Sequence, residues 1–128
     1  MIVIDTSALI AILSQEPPKS HLVAKIEAAT PRIISPVTRV ETVMVASRMF
    51  PQPIEAVNAL LRTLEIETVP IDISQSELAA KAFIDYGKGR HPARLNCGDC
   101  FAYAAAKALN APLLYVGDDF GKTDIRAA

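Results

Sequence analysis

The sequence has no tryptophan, only two cysteines and only two histidines among its 128 residues. Two cysteines are too few to hold a chain of this length together by disulfides, so we expect a protein of a reducing compartment, the cytoplasm. Cys97 and Cys100 form a single C-x-x-C motif, and His21 and His91 lie too far apart in the chain for the usual zinc spacing. Redox or zinc chemistry therefore stays an alternative for this motif, and a packing role for two small residues is the simpler interpretation.

The sequence also lacks an excess of one charge and a long apolar run. Thirteen basic and fourteen acidic residues give a net charge of −1, without the basic excess typical of nucleic-acid-binding proteins, so any contact with a polyanion must be local. The apolar run at residues 8–13 is too short to span a bilayer, and the basic segment and cleavage site of a signal peptide are missing. We expect one domain, residues 1–128, with no membrane association.

The first apolar run does not alternate with polar residues, a pattern typical of strands buried on both faces, as in parallel sheets, and four short segments in all are predicted as strands. They cover residues 2–4, 32–35, 66–71 and 113–116. Segments with helical spacing lie between them, so the order of elements predicts the α/β class. We expect a three-layer α/β/α sandwich with a central parallel sheet of four to five strands.

Helix boundaries are indicated by capping residues. Ser74 with Glu77 has the spacing of a capping box, and Asn96 is well placed to cap the helix that ends near Leu109. In the helix that begins at Pro36, we expect one face to point inward, formed by Val37, Val40, Val43, Met44 and Ser47.

Acidic side chains follow the first and last predicted strands. Asp5 comes directly after the first strand, and Asp118 and Asp119 come directly after the last. A strand buried on both faces cannot cheaply bury an unpaired carboxylate, so Asp5 must lie at the carboxyl edge of the sheet, where open α/β sheets bind ligands. Glu41 lies early in the helix after the second strand and Asp99 in the first turn of the helix before the last.

Carboxylates that converge at one edge need a cation between them, because like charges a few ångströms apart raise each other's pKa. Mg²⁺ and Mn²⁺ prefer such oxygen ligands, and a site of this kind can activate water for attack on a phosphodiester. Helix capping is an alternative for two of the acids, because Thr38 precedes Glu41 by three residues and Asn96 precedes Asp99 by three. The aspartates after the last strand can likewise be ordinary turn residues.

Four motifs in this order resemble the PIN-domain ribonucleases, and most closely the VapC toxins of bacterial VapBC toxin–antitoxin modules. They are I-D-T-S-A-L at residues 4–9, the early helical Glu41, L-N-C-G-D-C-F-A-Y at residues 95–103 and L-Y-V-G-D-D-F-x-x-T-D at residues 114–124. The resemblance covers nearly the whole chain. It implies an Mg²⁺- or Mn²⁺-dependent endoribonuclease that inhibits translation, commonly by cutting tRNA or rRNA. It also implies a VapB-type antitoxin whose tail occupies the acidic groove, and a toxin homodimer.

Within this resemblance, Asp5, Glu41 and Asp99 match the first three catalytic acids of the family. Asp5, Asp99 and a fourth acid are the implied metal ligands. The fourth acid falls in the G-D-D motif, where we favour Asp118 and give Asp119 a supporting role.

Two further groups of residues have expected roles at this site. Thr6 matches the family's hydroxyl beside the first acid and would hold a water or phosphate at the ion. The loop at residues 87–94 is the one basic cluster of the chain, and it is either a solvated connector or a contact for RNA phosphates through Lys88, Arg90 and Arg94.

Two other acidic classes on parallel sheets fit less well. A phospho-accepting receiver domain needs an acidic pair after its first strand and a lysine after its last. A haloacid-dehalogenase-type phosphatase needs a second acid two residues after the first, where this chain has Ser7. A non-catalytic α/β binding module with a vestigial acidic site remains the alternative to a nuclease.

Overall fold

The computed structural model describes all 128 residues and contains one sheet of four parallel strands. In chain order the strands are β1 (Ile2–Ile4), β2 (Arg32–Ile34), β3 (Ile66–Thr68) and β4 (Leu113–Leu114). Their spatial order is β3-β2-β1-β4, which places β1 in the centre of the sheet. The predicted α/β class and parallel sheet are confirmed, with four strands.

Three strands end earlier than predicted, β2 by one residue and β3 and β4 by more. In β3 the ladder continues through the Val69 N–H, which donates to the Ile34 carbonyl, and then meets Pro70, which has no N–H to donate. In β4 the backbone N–H of Val116 donates to the Ser7 hydroxyl instead of to a neighbouring strand. The backbone after β4 is therefore engaged by a side chain that follows β1.

Six α-helices and one 3₁₀ helix complete the fold. They are α1 (Thr6–Leu13), α2 (Lys19–Glu27), α3 (Pro36–Ala46), α4 (Pro53–Thr63), α5 (Ile73–Tyr86), α6 (Cys97–Ala108) and the 3₁₀ helix Phe120–Lys122. None of these helices is both long and apolar enough to cross a membrane.

The helices cover both faces of the sheet. Because successive side chains of a strand point to opposite faces, β1 contributes to two separate cores. Ile2 and Ile4 of β1 pack into one core with residues of α1, α2 and α4. Val3, between them, packs into a second core with the alanine-rich face of α6 and residues of α5. This arrangement confirms the predicted three layers.

The predicted inner face of α3 is confirmed only in part: Val43 packs against the core, but Val40, Met44 and Ser47 are exposed. Val40 and Met44 are 59% and 65% exposed, whereas Thr38 and Thr42 are fully buried. The Thr42 hydroxyl donates to the Thr38 carbonyl at 2.7 Å and contacts the Thr6 hydroxyl of α1 at 3.4 Å. Threonine side chains are small enough to let α3 approach α1 closely, although the buried Thr38 hydroxyl has no hydrogen-bond partner. Hydrophobic spacing does not detect such a contact.

Of the two predicted helix caps, one is wrong and one is confirmed. The N-terminus of α5 is capped by Asp72, which accepts a hydrogen bond from the Gln75 N–H at 2.7 Å, so the capping box predicted at Ser74 is wrong. At α6 the predicted cap is confirmed, because Asn96 and Asp99 bond reciprocally. Asp72 has the same acceptor chemistry as Ser74 and lies at the end of the extended segment, where the cap is needed.

Candidate active site

Asp5 lies at the carboxyl end of the central strand. Its N–H donates to the Leu114 carbonyl at 2.9 Å, and the residue is only 3% exposed. Oδ2 accepts hydrogen bonds from the Ser7 N–H at 2.9 Å and the Ser7 hydroxyl at 2.6 Å. Oδ1 is buried without any hydrogen-bond partner. Burial raises the pKa of Asp5 above its ordinary value, and the negative charge of Glu41 adds to the rise.

Glu41 lies in the middle of α3, away from the helix terminus. The N-terminus of α3 is capped by Ser35, whose hydroxyl accepts from the Val37 N–H at 3.2 Å. The alternative that Glu41 forms a capping box with Thr38 is therefore wrong. The Glu41 carboxylate instead lies directly against Gly98 in the first turn of α6, so it connects the two helices at the edge where Asp5 is placed.

Asp99 has two roles in the structure. It completes the capping box of α6, since its N–H donates to Asn96 Oδ1 at 2.9 Å and its Oδ2 accepts from the Asn96 N–H at 3.0 Å. The pKa of Asp99 is raised to about 7, mainly by burial and further by the charges of Asp5, Glu41 and Asp119. The capping carboxylate therefore also belongs to a group of mutually repelling acids.

Asp118 and Asp119 follow β4, and both side chains are exposed. Only Asp119 is among the acids whose charge raises the pKa of Asp99. The sequence motif favours Asp118 as the fourth acid, whereas the electrostatics at Asp99 favour Asp119.

Ser7 is the residue of this site that the sequence analysis did not identify as functional. Its hydroxyl donates to Asp5 and accepts from the Val116 N–H at 3.0 Å, which joins the ends of β1 and β4. The signal was present, since a serine two residues after an aspartate at a helix start is the spacing of a local side-chain turn. The neighbouring Thr6 hydroxyl points elsewhere and donates to the Thr38 carbonyl of α3 at 3.4 Å.

The basic loop between α5 and α6 is closed by its own hydrogen bonds. The Lys88 N–H donates to the Leu95 carbonyl at 2.9 Å, and the Leu95 N–H donates to the Tyr86 carbonyl at 3.0 Å. The His91 ring packs edge-on against the Tyr86 ring at 5.1 Å between centroids. Three cationic residues of the loop are exposed: Lys88, Arg90 and Arg94. The loop leads directly into Asn96 and so into the first turn of α6.

The donor set at this edge fits a hard divalent cation. The unpartnered Asp5 Oδ1 is a buried acceptor, and the other members of the cluster are also carboxylates, the ligands that Mg²⁺ and Mn²⁺ prefer. The side chains are close enough to raise each other's pKa, although no three histidine, cysteine, aspartate or glutamate side chains form a ready-made cation cage. A bound cation would offset the repulsion that these acids experience.

The two thiols are free, with Cys97 exposed and Cys100 buried. Burial raises the pKa of Cys100 to about 11, and the charges of Asp99 and Cys97 add to the rise. A thiol with so high a pKa is protonated at neutral pH and is a poor nucleophile and metal ligand.

Comparison with known proteins agrees with this geometry. The family model described as PIN domain matches residues 2–126. The VapC ribonuclease Mb0640 of Mycobacterium bovis and the ribonuclease VapC30 of Mycobacterium tuberculosis are each 42% identical over 124 residues, covering 96% of this chain and 95% of theirs. The ribonuclease VapC of Mycolicibacterium smegmatis is 40% identical over 126 residues, covering 98% of both chains.

Solved structures support the fold. Mycobacterium tuberculosis VapC20, described as a sarcin-ricin loop cleaving toxin, superposes with a TM-score of 0.78 at 15% identity over 100% of this chain and 98% of its own. VapBC-1 from nontypeable Haemophilus influenzae gives 0.73 at 20% identity, covering 100% and 97%. The chain therefore belongs to the PIN-domain family and, within it, to the VapC ribonucleases.

Proposed function

We propose that this protein is the toxin of a type II toxin–antitoxin system, acting in the cytoplasm as an Mg²⁺- or Mn²⁺-dependent endoribonuclease. Its substrates are phosphodiester bonds of tRNA or rRNA, and their hydrolysis inhibits translation. The observation that carries the proposal is the unpartnered Oδ1 of Asp5 within a cluster of carboxylates. The cluster lies in a chain 42% identical to VapC ribonucleases over nearly its full length.

Asp5 and Asp99 are the residues we assign to the cation, together with one aspartate after β4. Asp5 offers Oδ1, because Oδ2 is held by Ser7. Asp99 offers Oδ1, because Oδ2 accepts from the Asn96 N–H. A divalent ion held by these residues would act as a Lewis acid, lowering the pKa of water and offsetting charge on the phosphodiester.

Glu41 has a different role in this mechanism. Its carboxylate accepts no hydrogen bond from the protein, unlike the carboxylates of Asp5 and Asp99. It is therefore available to accept a hydrogen bond from the attacking water and to orient that water toward phosphorus. Without a cation the negative cluster would repel the RNA backbone, so charge compensation is required both to admit the substrate and to cleave it.

The proposed partners are an antitoxin, RNA and a second copy of the chain. We assign a VapB-type antitoxin, supported by the toxin–antitoxin complexes among the structural neighbours, with its tail in the acidic groove. Val40 and Met44 are exposed on α3 beside Glu41 and give this groove an apolar flank. The RNA backbone would be held by the exposed cations of the basic loop. A homodimer is proposed from the family resemblance.

The experiment is a calorimetric titration of Mn²⁺ into the antitoxin-free protein and into the Asp5→Asn and Asp99→Asn variants. Glu55→Gln, which removes an exposed carboxylate on α4, is the matched control. We expect Mn²⁺ binding in the wild type and the control, and loss of binding in both aspartate variants.

The same proteins are then incubated with total tRNA and rRNA, with Mg²⁺ or with a chelator. Cleavage by the wild type that needs the metal and disappears in Asp5→Asn supports the nuclease. Undiminished cleavage by Asp5→Asn or by metal-stripped protein contradicts the proposal. A wild type that neither binds Mn²⁺ nor cuts RNA favours the non-catalytic binding module.

A further inference from the structure

We infer that Gly98 is a positioning residue for Glu41: its missing side chain leaves the space that the Glu41 carboxylate occupies against the first turn of α6. The inference rests on the proposed metal-dependent nuclease, because it concerns the geometry of that site. Gly98 itself offers no side chain to substrate or ion, so any effect of substituting it must act through a neighbour.

The local backbone does not explain a glycine at this position. Gly98 lies in the first turn of a regular helix, and it is not among the glycines with a positive φ, Gly89 and Gly117. Glycine is less favourable in a helix than every other residue except proline. The reason for a glycine here must therefore lie in what approaches it.

The approaching group is the Glu41 carboxylate. A Cβ built on Gly98 would overlap Cδ, Oε1 and Oε2 of Glu41, which means the whole carboxylate group. Gly98 is buried in this contact, and α3 and α6 pack together here. Such a close approach of a carboxylate to backbone is open only to glycine.

The position of Glu41 also affects the electrostatics of the site. The N-terminal turn of a helix favours negative charge through its backbone N–H groups. Asp99 is the next residue of the same turn, and the charge of Glu41 acts on both Asp99 and Asp5. Gly98 therefore sets the distance at which Glu41 faces the two acids assigned to the cation.

A Gly98→Ala substitution separates this role from a role in folding. The overlap is with the far end of a flexible side chain, so Glu41 can swing away while the backbone stays in place. Alanine also favours the helix. We expect the metal-free variant to be at least as stable as the wild type in urea unfolding. Mn²⁺ affinity should fall about tenfold because one negative charge moves away from the ion, and kcat should fall about tenfold because the group that orients the water is displaced.

The control is Gly121→Ala, because a Cβ there meets nothing closer than the Tyr115 hydroxyl at 3.7 Å. A double-mutant cycle adds Glu41→Ala and the Glu41→Ala/Gly98→Ala pair. If Gly98 acts through Glu41, Gly98→Ala has no further effect once Glu41 is truncated. Wild-type Mn²⁺ affinity in Gly98→Ala, or an equal loss in both backgrounds, overturns the inference.

One measurement tests the contact between Gly98 and Glu41 without depending on nuclease activity. In NMR spectra of the metal-free protein, we expect nuclear Overhauser effects between the Gly98 Hα protons and the Glu41 Hγ protons. Their absence overturns the positioning role whatever the protein does. Conversely, if the effects are present and the wild type neither binds Mn²⁺ nor cuts RNA, the proposed function fails and the positioning role in catalysis is overturned with it.

Discussion

The hydroxyl of Ser7 donates to Asp5 Oδ2 at 2.6 Å and at the same time accepts from the backbone N–H of Val116 at 3.0 Å. One hydroxyl thus connects the first acid to the segment that follows β4, 109 residues further along the chain. Because Ser7 occupies Oδ2 of Asp5, it leaves Oδ1 as the free acceptor. The orientation of the carboxylate is set by this pair of residues.

The first prediction concerns Ser7. Ser7→Ala removes both hydrogen bonds of the hydroxyl and frees Asp5 to rotate, so we expect Mn²⁺ affinity and kcat to fall about tenfold. The stability of the metal-free protein should fall by about 1 kcal/mol. Calorimetry, cleavage assays and urea unfolding measure the three quantities. Ser76→Ala is the matched control, because the Ser76 hydroxyl bonds only to the Ile73 carbonyl within α5. Equal behaviour of the two variants would contradict a role for Ser7 in orienting Asp5.

The second prediction separates Asp118 from Asp119. Because the charge of Asp119 reaches Asp99, we expect Asp119→Asn to weaken Mn²⁺ binding more than Asp118→Asn does. The expected difference is about tenfold, the effect of one charged neighbour in a partly solvated site. Calorimetric titration of the two variants side by side measures it. The opposite order would assign the fourth acid to Asp118, as the sequence motif favours.

The third prediction concerns pH. The pKa of Asp99 lies at about 7 in the folded, metal-free protein, against an ordinary value of 3.8, chiefly because of burial and then because of neighbouring acids. Between these values the folded state binds more protons than the unfolded state, so the free energy of unfolding falls as the pH rises. The raised pKa of Asp5 acts in the same direction. We expect the metal-free protein to be less stable at pH about 8 than at pH about 5, by on the order of 1 kcal/mol.

Asp99→Asn should reduce this pH dependence, because the amide still accepts the bond from the Asn96 N–H and carries no charge. At pH about 8 the metal-free variant should be more stable than the wild type. Chemical unfolding across the pH range provides the measurement, with Glu55→Gln as the control. A wild type whose stability rises steadily from pH about 5 to 8 would contradict the predicted cost of ionising these acids in the folded protein.

The fourth prediction concerns the basic loop. Replacing its three cations together (Lys88→Gln, Arg90→Gln and Arg94→Gln) should raise KM for RNA about tenfold and flatten the dependence of binding on salt, with kcat retained. A matched triple variant replaces cations outside the loop: Lys19→Gln, Arg48→Gln and Arg62→Gln. Binding and cleavage are measured at several salt concentrations. If both triple variants change KM and the salt dependence equally, the loop is a solvated connector.

The sequence alone determined the sheet and one end of the site. Short apolar segments identified the strands, and the central β1 is buried on both faces as its unalternating sequence predicts. The edge strand β3 differs, because its Glu67 is exposed. Asp5 was correctly placed at the carboxyl edge of the sheet from the cost of burying an unpaired carboxylate, but the structure buries the side chain at that edge and leaves Oδ1 without a partner. The Asn96–Asp99 capping box was also predictable, because both of its partners lie within one helical turn.

Only the tertiary structure decided which groups meet at that edge. The close contact of Glu41 with Gly98, the bond from Val116 to Ser7 and the influence of Asp119 on Asp99 each depend on how separate elements pack. Packing also decided which residues of α3 point inward, since small threonines, one of which bonds to the backbone of its own helix, can replace apolar residues at a close helix contact. Local spacing specifies an element and its caps, whereas the partner of each buried polar atom is set by the fold.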